Sequence, residues 1–253
     1  MKKEKTKKMK SKKTEKYILL FFMVILVIFA GYNAYKLYQG YSEYNKGNST
    51  YDSIKNTAIK SDVLNGDEPR IDFDALTKIN PDVIGWLTLN GTAVDYPVVK
   101  GEDNDYYLNH LYTGEYNSLG TLFVDFRNSY PFNDKITTIY GHSMLNGSMF
   151  FILERYKRQD FYEEHKQFFY DTKDKNYILE PFAGKVMDAK IPFLQFNFDS
   201  DEEFMEYIDE YVRTSTFKSD VTVNKDDKVV MMIKCSADYE DARYVLLCKV
   251  SEA

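Results

Sequence analysis

The sequence predicts one mainly β domain, a barrel or a sandwich, that follows an amino-terminal membrane span. Short apolar runs bounded by turn residues recur from Val83 onwards, which is typical of β-strands. An uncharged apolar run from Tyr17 to Tyr35 is long enough to cross a bilayer. With 44% apolar and 16% aromatic residues among 253, the chain can bury a sizeable core, which excludes a disordered or low-complexity protein.

Charge is divided unevenly along the chain. Residues 1–16 hold nine lysines and two glutamates, a net charge of +7, and since the whole chain carries −6, the remainder carries −13. The lysine block is a topology signal that also favours anionic lipid headgroups. The acidic remainder would repel a phosphate backbone, so no nucleic-acid partner is expected.

The apolar run at 17–35 is interpreted as a signal anchor. Nineteen uncharged residues make a helix of about 28 Å, close to the hydrocarbon thickness of a bilayer. The alternative, a cleaved signal peptide, has a shorter apolar stretch and ends in small residues, a pattern that we do not find before Lys36. We therefore expect residues 1–16 to be cytoplasmic and the residues after the span to lie outside the cell membrane.

Residues 36–70 are predicted to form a stalk, because the segment is rich in Lys, Tyr, Asn, Ser and Asp. The helical spacing of Ile54, Ala58 and Ile59 indicates that the stalk is partly helical. Glycines interrupt any continuous apolar stripe in this segment, at Gly40, Gly47 and Gly66.

The compact domain is assigned to residues 71–253. A short helix from Asp72 to Ile79 should open it, with Asp72 or Asp74 as N-cap and Pro81 closing it. Eight strand-type runs follow, at 83–89, 92–99, 120–126, 136–142, 167–171, 176–184, 228–235 and 243–250. Asn90-Gly91 between the first two predicts a hairpin, since both residues tolerate positive φ. Helical spacing occurs at 149–162 and 201–212.

Three histidines limit the choice of a catalytic base. His165 sits at a polar helix end and is interpreted as surface. His110 lies in a loop without an acidic or thiol neighbour in sequence and is interpreted as structural. His142 differs, because it follows the apolar strand ITTIY and enters the loop GHSMLNGS. A side chain at a strand end is held rigidly but can face a cleft, which makes His142 the candidate.

Two cysteines are present. Cys235 ends an apolar strand and enters a polar loop, as expected of a nucleophile, whereas Cys248 lies mid-strand among apolar residues. A disulfide between them is the alternative. Strand alternation argues against it, because if Arg243 faces the same cleft as Cys235, Cys248 points to the other side. No metal-ligand spacing, dinucleotide fingerprint or phosphate-binding loop is present in the sequence, so no metal or cofactor is expected.

Several segments, in this order, together resemble the class B sortases of Gram-positive bacteria. They are WLTLNGTAVDYPVVKGEDNDYYLNH, GTLFVDFRN, TIYGHSMLNGSMF with the following FILERY, and KCSADYEDARYVLLCKV. The resemblance covers about residues 72–250 and agrees with an amino-terminal anchor. It implies an eight-stranded sortase β-barrel with few helices, one of them inserted between the sixth and seventh strands.

The resemblance also implies site residues. His142, Cys235 and Arg243 match the family's histidine, nucleophile and arginine. Positions that line the sorting-signal groove are matched by Asn104, Leu108, Tyr140 and Ser236. This chain departs from the family at Lys234, which replaces the threonine that normally precedes the cysteine. Two interpretations of Lys234 are open: its charge lowers the pKa of the Cys235 thiol, or its side chain points into solvent. Because alternation puts Lys234 on the face opposite Cys235, we expect the second.

The implied activity is that of a membrane-anchored cysteine transpeptidase without a cofactor. Such an enzyme cuts a sorting signal after Thr, forms a thioester, and joins the surface protein to a peptidoglycan-precursor or pilin amine. The alternative is a membrane-tethered binding module on the same barrel that has lost turnover through the change at Lys234. A papain-like hydrolase is disfavoured, because such enzymes usually place the Cys before the His and at a helix start.

Overall fold

The computed structural model describes residues 2–59, 71–129, 132–144, 146–188, 190, 194–235 and 241–253. The side chains of residues 2–15 and of Cys235 lie outside the description. The chain divides into two compact units, Met1–Lys46 and Gly47–Ala253.

The first helix, α1, extends over Lys2–Ala58. Its part from Lys16 onwards is long and apolar enough to cross a membrane. The side chains from Tyr17 to Phe29 are each 44% to 69% exposed, so much of their apolar surface is left uncovered by the residues that the structure describes. A helix that is apolar on all sides and uncovered is typical of a membrane span. The helix continues through Gly40 and Gly47; Gly66 lies outside the described residues.

The second unit is a closed barrel of eight strands, which confirms the predicted fold class. The strands are β1 (Val83–Thr88), β2 (Asp95–Val99), β3 (Leu122–Val124), β4 (Ile136–Tyr140), β5 (Phe168–Asp171), β6 (Asn176–Asp188), β7 (Lys228–Cys235) and β8 (Ala242–Glu252). The strand order is β1-β2-β3-β4-β7-β8-β6-β5, and β5 closes the barrel on β1. The β2–β3 and β4–β7 pairs are parallel and the other pairs are antiparallel.

Local signals agree with the observed elements. Helix α2 (Phe73–Ile79) begins where the sequence predicts, and Asp72 is its N-cap, accepting a hydrogen bond from the Ala75 amide at 2.9 Å. The predicted hairpin joins β1 to β2. Its loop is longer than the Asn-Gly pair, since the Leu89 amide donates to the Val94 carbonyl, and of that pair only Gly91 has positive φ, at +76°.

The two predicted helical segments flank β5 and β6. The first divides into a 3₁₀ helix, Phe150–Lys157, and a short α-helix, α3 (Gln159–Glu164). The second is α4 (Asp201–Arg213), which lies between β6 and β7 in the chain. Its buried face holds Phe204, Ile208 and Tyr211, which pack on core residues of β6, β7 and β8.

The end of α1 belongs to the barrel unit. Tyr51, Ile54 and Ala58 are buried, and the Tyr51 hydroxyl donates to the carbonyl of Gly120 at 2.5 Å. The Cβ that any other residue would carry at Gly47 would lie 2.8 Å from a Leu119 methyl, so the absent side chain permits this close packing. The helical spacing in this part of the sequence therefore reflects a packed face.

Removal of the α4 cap should destabilise the barrel unit. Ser200 accepts a hydrogen bond from the Glu203 amide at 3.2 Å, and loss of such a cap lowers the free energy of unfolding by about 1 kcal/mol. We expect that loss for Ser200→Ala and little change for Ser200→Asn, which keeps a capping oxygen. Denaturant unfolding of both variants measures it. Equal stabilities for the two would show that the cap contributes nothing.

Candidate active site

Three neighbouring strands bring the predicted site residues to one edge of the sheet. In the parallel pair β4–β7, Tyr140 is opposite Ile233, so His142 and Cys235 each lie two residues further along. In the antiparallel pair β7–β8, Cys235 is directly opposite Arg243. The backbone therefore gathers His142, Cys235 and Arg243 although they are distant in sequence.

The segment that carries His142 is tied to β7 by the backbone. The Gly141 amide donates to the Ile233 carbonyl at 3.1 Å, and the Phe150 amide donates to the His142 carbonyl at 2.9 Å. A Cβ at Gly141 would lie 2.4 Å from a Leu122 methyl, so only glycine fits here. These contacts hold the loop backbone, and the imidazole extends from it half-buried.

The His142 ring is oriented by a backbone carbonyl. Its Nε2 lies 2.6 Å from the carbonyl oxygen of Leu108. A carbonyl can only accept, so Nε2 carries a hydrogen in this arrangement. In the neutral ring, Nδ1 is then the nitrogen that can accept a proton.

Arg243 lies on the sheet face that α4 covers. Met231 and Ile233 on β7 and Val245 on β8 share the core with the α4 residues. Strand alternation puts Arg243 on the same face as Val245, and the backbone of Cys235 lies opposite Arg243 in the register. Arg243 is half-buried and donates from Nη1 to the carbonyl of Ala242 at 3.0 Å.

Cys248 has a different environment. It lies opposite Val230 in the β7–β8 register, is fully buried and is a free thiol. Burial raises the pKa of the Cys248 thiol well above its ordinary value, so this residue is a poor nucleophile. The structure thus keeps one cysteine inert in the core.

Two of the predicted groove residues, Asn104 and Tyr140, meet at a buried carboxylate that the sequence interpretation missed. Asp125 accepts hydrogen bonds from Asn104 Nδ2 at 3.0 Å and from the Tyr140 hydroxyl at 2.9 Å. Arg127 donates to both of its oxygens, at 2.8 and 2.7 Å. Leu108 contributes its carbonyl to His142. Ser236, the fourth predicted groove residue, lies outside the described residues.

Asp125 is kept ionised by these partners. Its side chain is fully buried, and burial alone would raise its pKa, but the hydrogen bonds from Arg127, Tyr140 and Asn104 outweigh burial and lower that pKa. A signal was present in the sequence, because Asp125 directly follows the apolar strand LFV and precedes an arginine by two residues.

The expectation for Lys234 is wrong. Its side chain projects from one face of β7 but is 0% exposed. Its Nζ lies 2.5 Å from Glu154 Oε2 and donates to Ser143 Oγ at 3.1 Å. The 3₁₀ helix Phe150–Lys157 covers this face and supplies the Glu154 carboxylate, which makes burial of the ammonium possible.

The other histidines are packed on aromatic rings. His110 stacks on Tyr106 with the ring centroids 4.0 Å apart, and His165 stacks on Phe161 with the centroids 4.1 Å apart. Each Nδ1 is bonded to a backbone carbonyl of its stacking partner. Among the described residues, no group of three or more His, Cys, Asp or Glu could hold a metal ion.

Comparison with known proteins identifies relatives over most of the chain. No protein-family model matches the chain. Sortase B of Listeria monocytogenes is 37% identical over 189 residues, which is 74% of this chain and 76% of that protein.

Solved structures agree in fold. A Staphylococcus aureus sortase B–substrate complex superposes with a TM-score of 0.74 at 30% identity, over 84% of this chain and 99% of that one. A sortase B complexed with triglycine gives a TM-score of 0.67 at 35% identity, over 72% of this chain and 86% of that one. With this identity over most of both chains and the same closed barrel, the chain belongs to the sortase B family of cysteine transpeptidases.

Proposed function

We propose that this chain is a membrane-anchored transpeptidase that cleaves a carboxy-terminal sorting signal after Thr and transfers the surface protein to a cell-wall amine. The observation that carries the proposal is the register of three strands, which puts Cys235 opposite Arg243 and beside the strand that leads to His142. A nucleophile, a planar cation and a proton carrier at one sheet edge are what amide transfer requires.

In the first half-reaction, the Cys235 thiolate attacks the carbonyl carbon of the Thr residue. The carbonyl oxygen gains negative charge, and the Arg243 guanidinium donates hydrogen bonds to it. The tetrahedral intermediate then breaks its carbon–nitrogen bond. His142, as imidazolium, gives a proton to the leaving amine of the carboxy-terminal part of the signal. The surface protein remains bound to Cys235 as a thioester through its Thr carbonyl.

In the second half-reaction, an amine attacks the thioester carbon. Neutral His142 accepts the proton of the attacking amine, and the carbon–sulfur bond breaks to return the Cys235 thiolate. A new amide joins the surface protein to its acceptor, so bonds balance without a cofactor. The related complexes with a substrate and with triglycine support a peptide donor and an amine acceptor; a peptidoglycan precursor or a pilin supplies such an amine.

The sorting signal is proposed to bind along Asn104, Leu108, Tyr140 and Ser236. The first three are half-buried and lie around His142 and Asp125, so the carboxylate would act by holding the groove wall. The alternative, a non-catalytic binding module, depends on disturbance of the thiol by Lys234. Its ammonium is bound on the opposite face of β7, which gives that alternative no support.

The apolar part of α1 is proposed to be a signal anchor with its amino terminus in the cytoplasm. The exposed apolar side chains of this helix follow a block of net charge +7. Positive residues are retained on the cytoplasmic side, so the barrel unit would face the cell wall, where its substrates are.

Replacement of Cys235 should separate the two cysteines by function. Cys235→Ala should reduce cleavage of a sorting-signal peptide to background, because no other group in the mechanism forms the thioester. Cys248→Ala should retain turnover at a lower melting temperature, because it removes buried volume only. Peptide cleavage and transfer to triglycine, followed by mass spectrometry, measure both. Full activity of Cys235→Ala would contradict the proposal.

Topology is tested on intact protoplasts. External protease should remove the barrel unit and leave a tag at the amino terminus protected, because residues 1–16 are proposed to be cytoplasmic. Immunoblots against the tag and against the domain report the outcome. Digestion of the tag with an intact domain would reverse the orientation, and release of the domain without protease would indicate cleavage of the apolar segment.

Asp125→Asn should make the free energy of unfolding depend less steeply on pH at acidic pH. The pKa of Asp125 is lowered in the folded state, so its contribution to stability is complete above the unfolded value of about 3.9 and is lost as the pH falls through the folded value. The wild type should therefore lose stability more steeply below about pH 4 than the variant. Asp226→Asn, in the exposed turn before β7, is the matched control. Parallel curves for the wild type and Asp125→Asn would contradict this role.

A further inference from the structure

The buried ammonium of Lys234 connects the two segments that carry the proposed nucleophile and base. Lys234 directly precedes Cys235 on β7, and Ser143, which binds its Nζ at 3.1 Å, directly follows His142. The third partner is Glu154 of the 3₁₀ helix, at 2.5 Å. The Lys234 ammonium therefore connects the residue before Cys235 to the residue after His142 through one hydrogen bond.

Full burial of its lysine distinguishes this ion pair from the other described pairs of the barrel unit, although the Glu154 side chain is 30% exposed. The Lys234 side chain is 0% exposed, whereas Lys185 and Lys249, which also pair with carboxylates, each keep 22% of the side chain exposed. A charge removed from water is costly unless it is bonded on several sides. Such a pair ties its partners to a fixed geometry, because each displacement leaves a buried charge unsatisfied.

We propose that Lys234 is a positioning residue, whose ammonium, bound by Glu154 and Ser143, holds the end of β7 against the segment that carries His142. The inference rests on the proposed function for the roles of Cys235 and His142. The ammonium is held by Glu154 and Ser143, so Lys234 acts through the segments that it holds and does not touch the substrate. Lys234 is thus part of the scaffold of this site.

The charges around Lys234 come from several elements. Glu154 pairs with both Lys234 and Lys157. On β8, Tyr244 is opposite Lys234 in the register and bonds to Thr216 through its hydroxyl, and Arg243 precedes it. Three groups of this cluster, Lys234, Lys157 and Glu154, together carry a net charge of +1, which favours a thiolate nearby.

Two single variants and their combination distinguish the effect of the local charge on Cys235 from the effect of the ion pair that holds the two segments together. Lys234→Met removes one positive charge, and Glu154→Gln removes one negative charge. The two single variants therefore change the local charge in opposite directions. The double variant restores the net charge of +1 but lacks the ion pair. Replacement of both members of a buried pair by neutral groups is often tolerated, so the double variant keeps the test open if either single variant fails to fold. Lys249→Met, which removes an ion pair with Asp227, is the matched control.

The experiment uses the full-length protein in detergent. Alkylation of Cys235 across pH, resolved by mass spectrometry, requires no substrate. We expect its midpoint to rise by about half a pH unit in Lys234→Met, to fall by a similar amount in Glu154→Gln, and to return in the double variant. Peptide turnover in the double variant should still be reduced in kcat by about tenfold or more, with KM little changed, because the tether is absent. Lys249→Met should match the wild type in all three measurements.

Wild-type kcat in the folded double variant would overturn the proposal, as would alkylation curves that superimpose for all variants. A decrease in kcat that only follows the folded fraction, measured by thermal unfolding, would do the same. The proposed function fails separately, if the wild type cleaves and transfers no sorting-signal peptide. In that case the alkylation midpoints of the variants still report whether Lys234 controls the environment of Cys235.

Discussion

The site depends on the position of β7 between a parallel and an antiparallel neighbour. The parallel pairing with β4 brings the carboxyl ends of both strands to one edge, and the antiparallel pairing with β8 brings the start of β8 to that same edge. A slip of one residue in either pairing would turn Cys235 or Arg243 to the other face of the sheet. Backbone register thus determines which side chains can cooperate, and the loops only complete the arrangement.

Burial of charge is the second constraint on this edge of the barrel. Asp125 and Lys234 are both fully buried, and each is surrounded by partners from separate elements. Asp125 gathers Asn104, Tyr140 and Arg127. Since an unpaired charge in such a place would be severely destabilising, these groups fix the geometry around them. The rigidity of the site therefore comes from its polar interior as well as from its apolar core.

Local sequence signals predicted most of the elements because those signals act over a few residues. Alternation and apolar runs located all eight strands, and the bounds of β7 agree with the observed strand. For the N-cap of α2 the sequence offers Asp72 or Asp74, because a carboxylate before an apolar helix satisfies free backbone amides, and the structure selects Asp72. The segment after β4 was recognised as helical, but its 3₁₀ character was not, because packing on β7 and β8 decides how tightly it winds.

The sequence by itself determined the elements, the apolar helix, and the candidates at strand ends, since periodicity and residue chemistry are local properties. Only the tertiary structure decided that Asp125 joins the groove residues and that Lys234 is buried. Alternation predicts the side of a strand to which Lys234 points. Whether that side meets water or a carboxylate depends on the 3₁₀ helix packed there, which contributes Glu154 from 80 residues earlier in the chain.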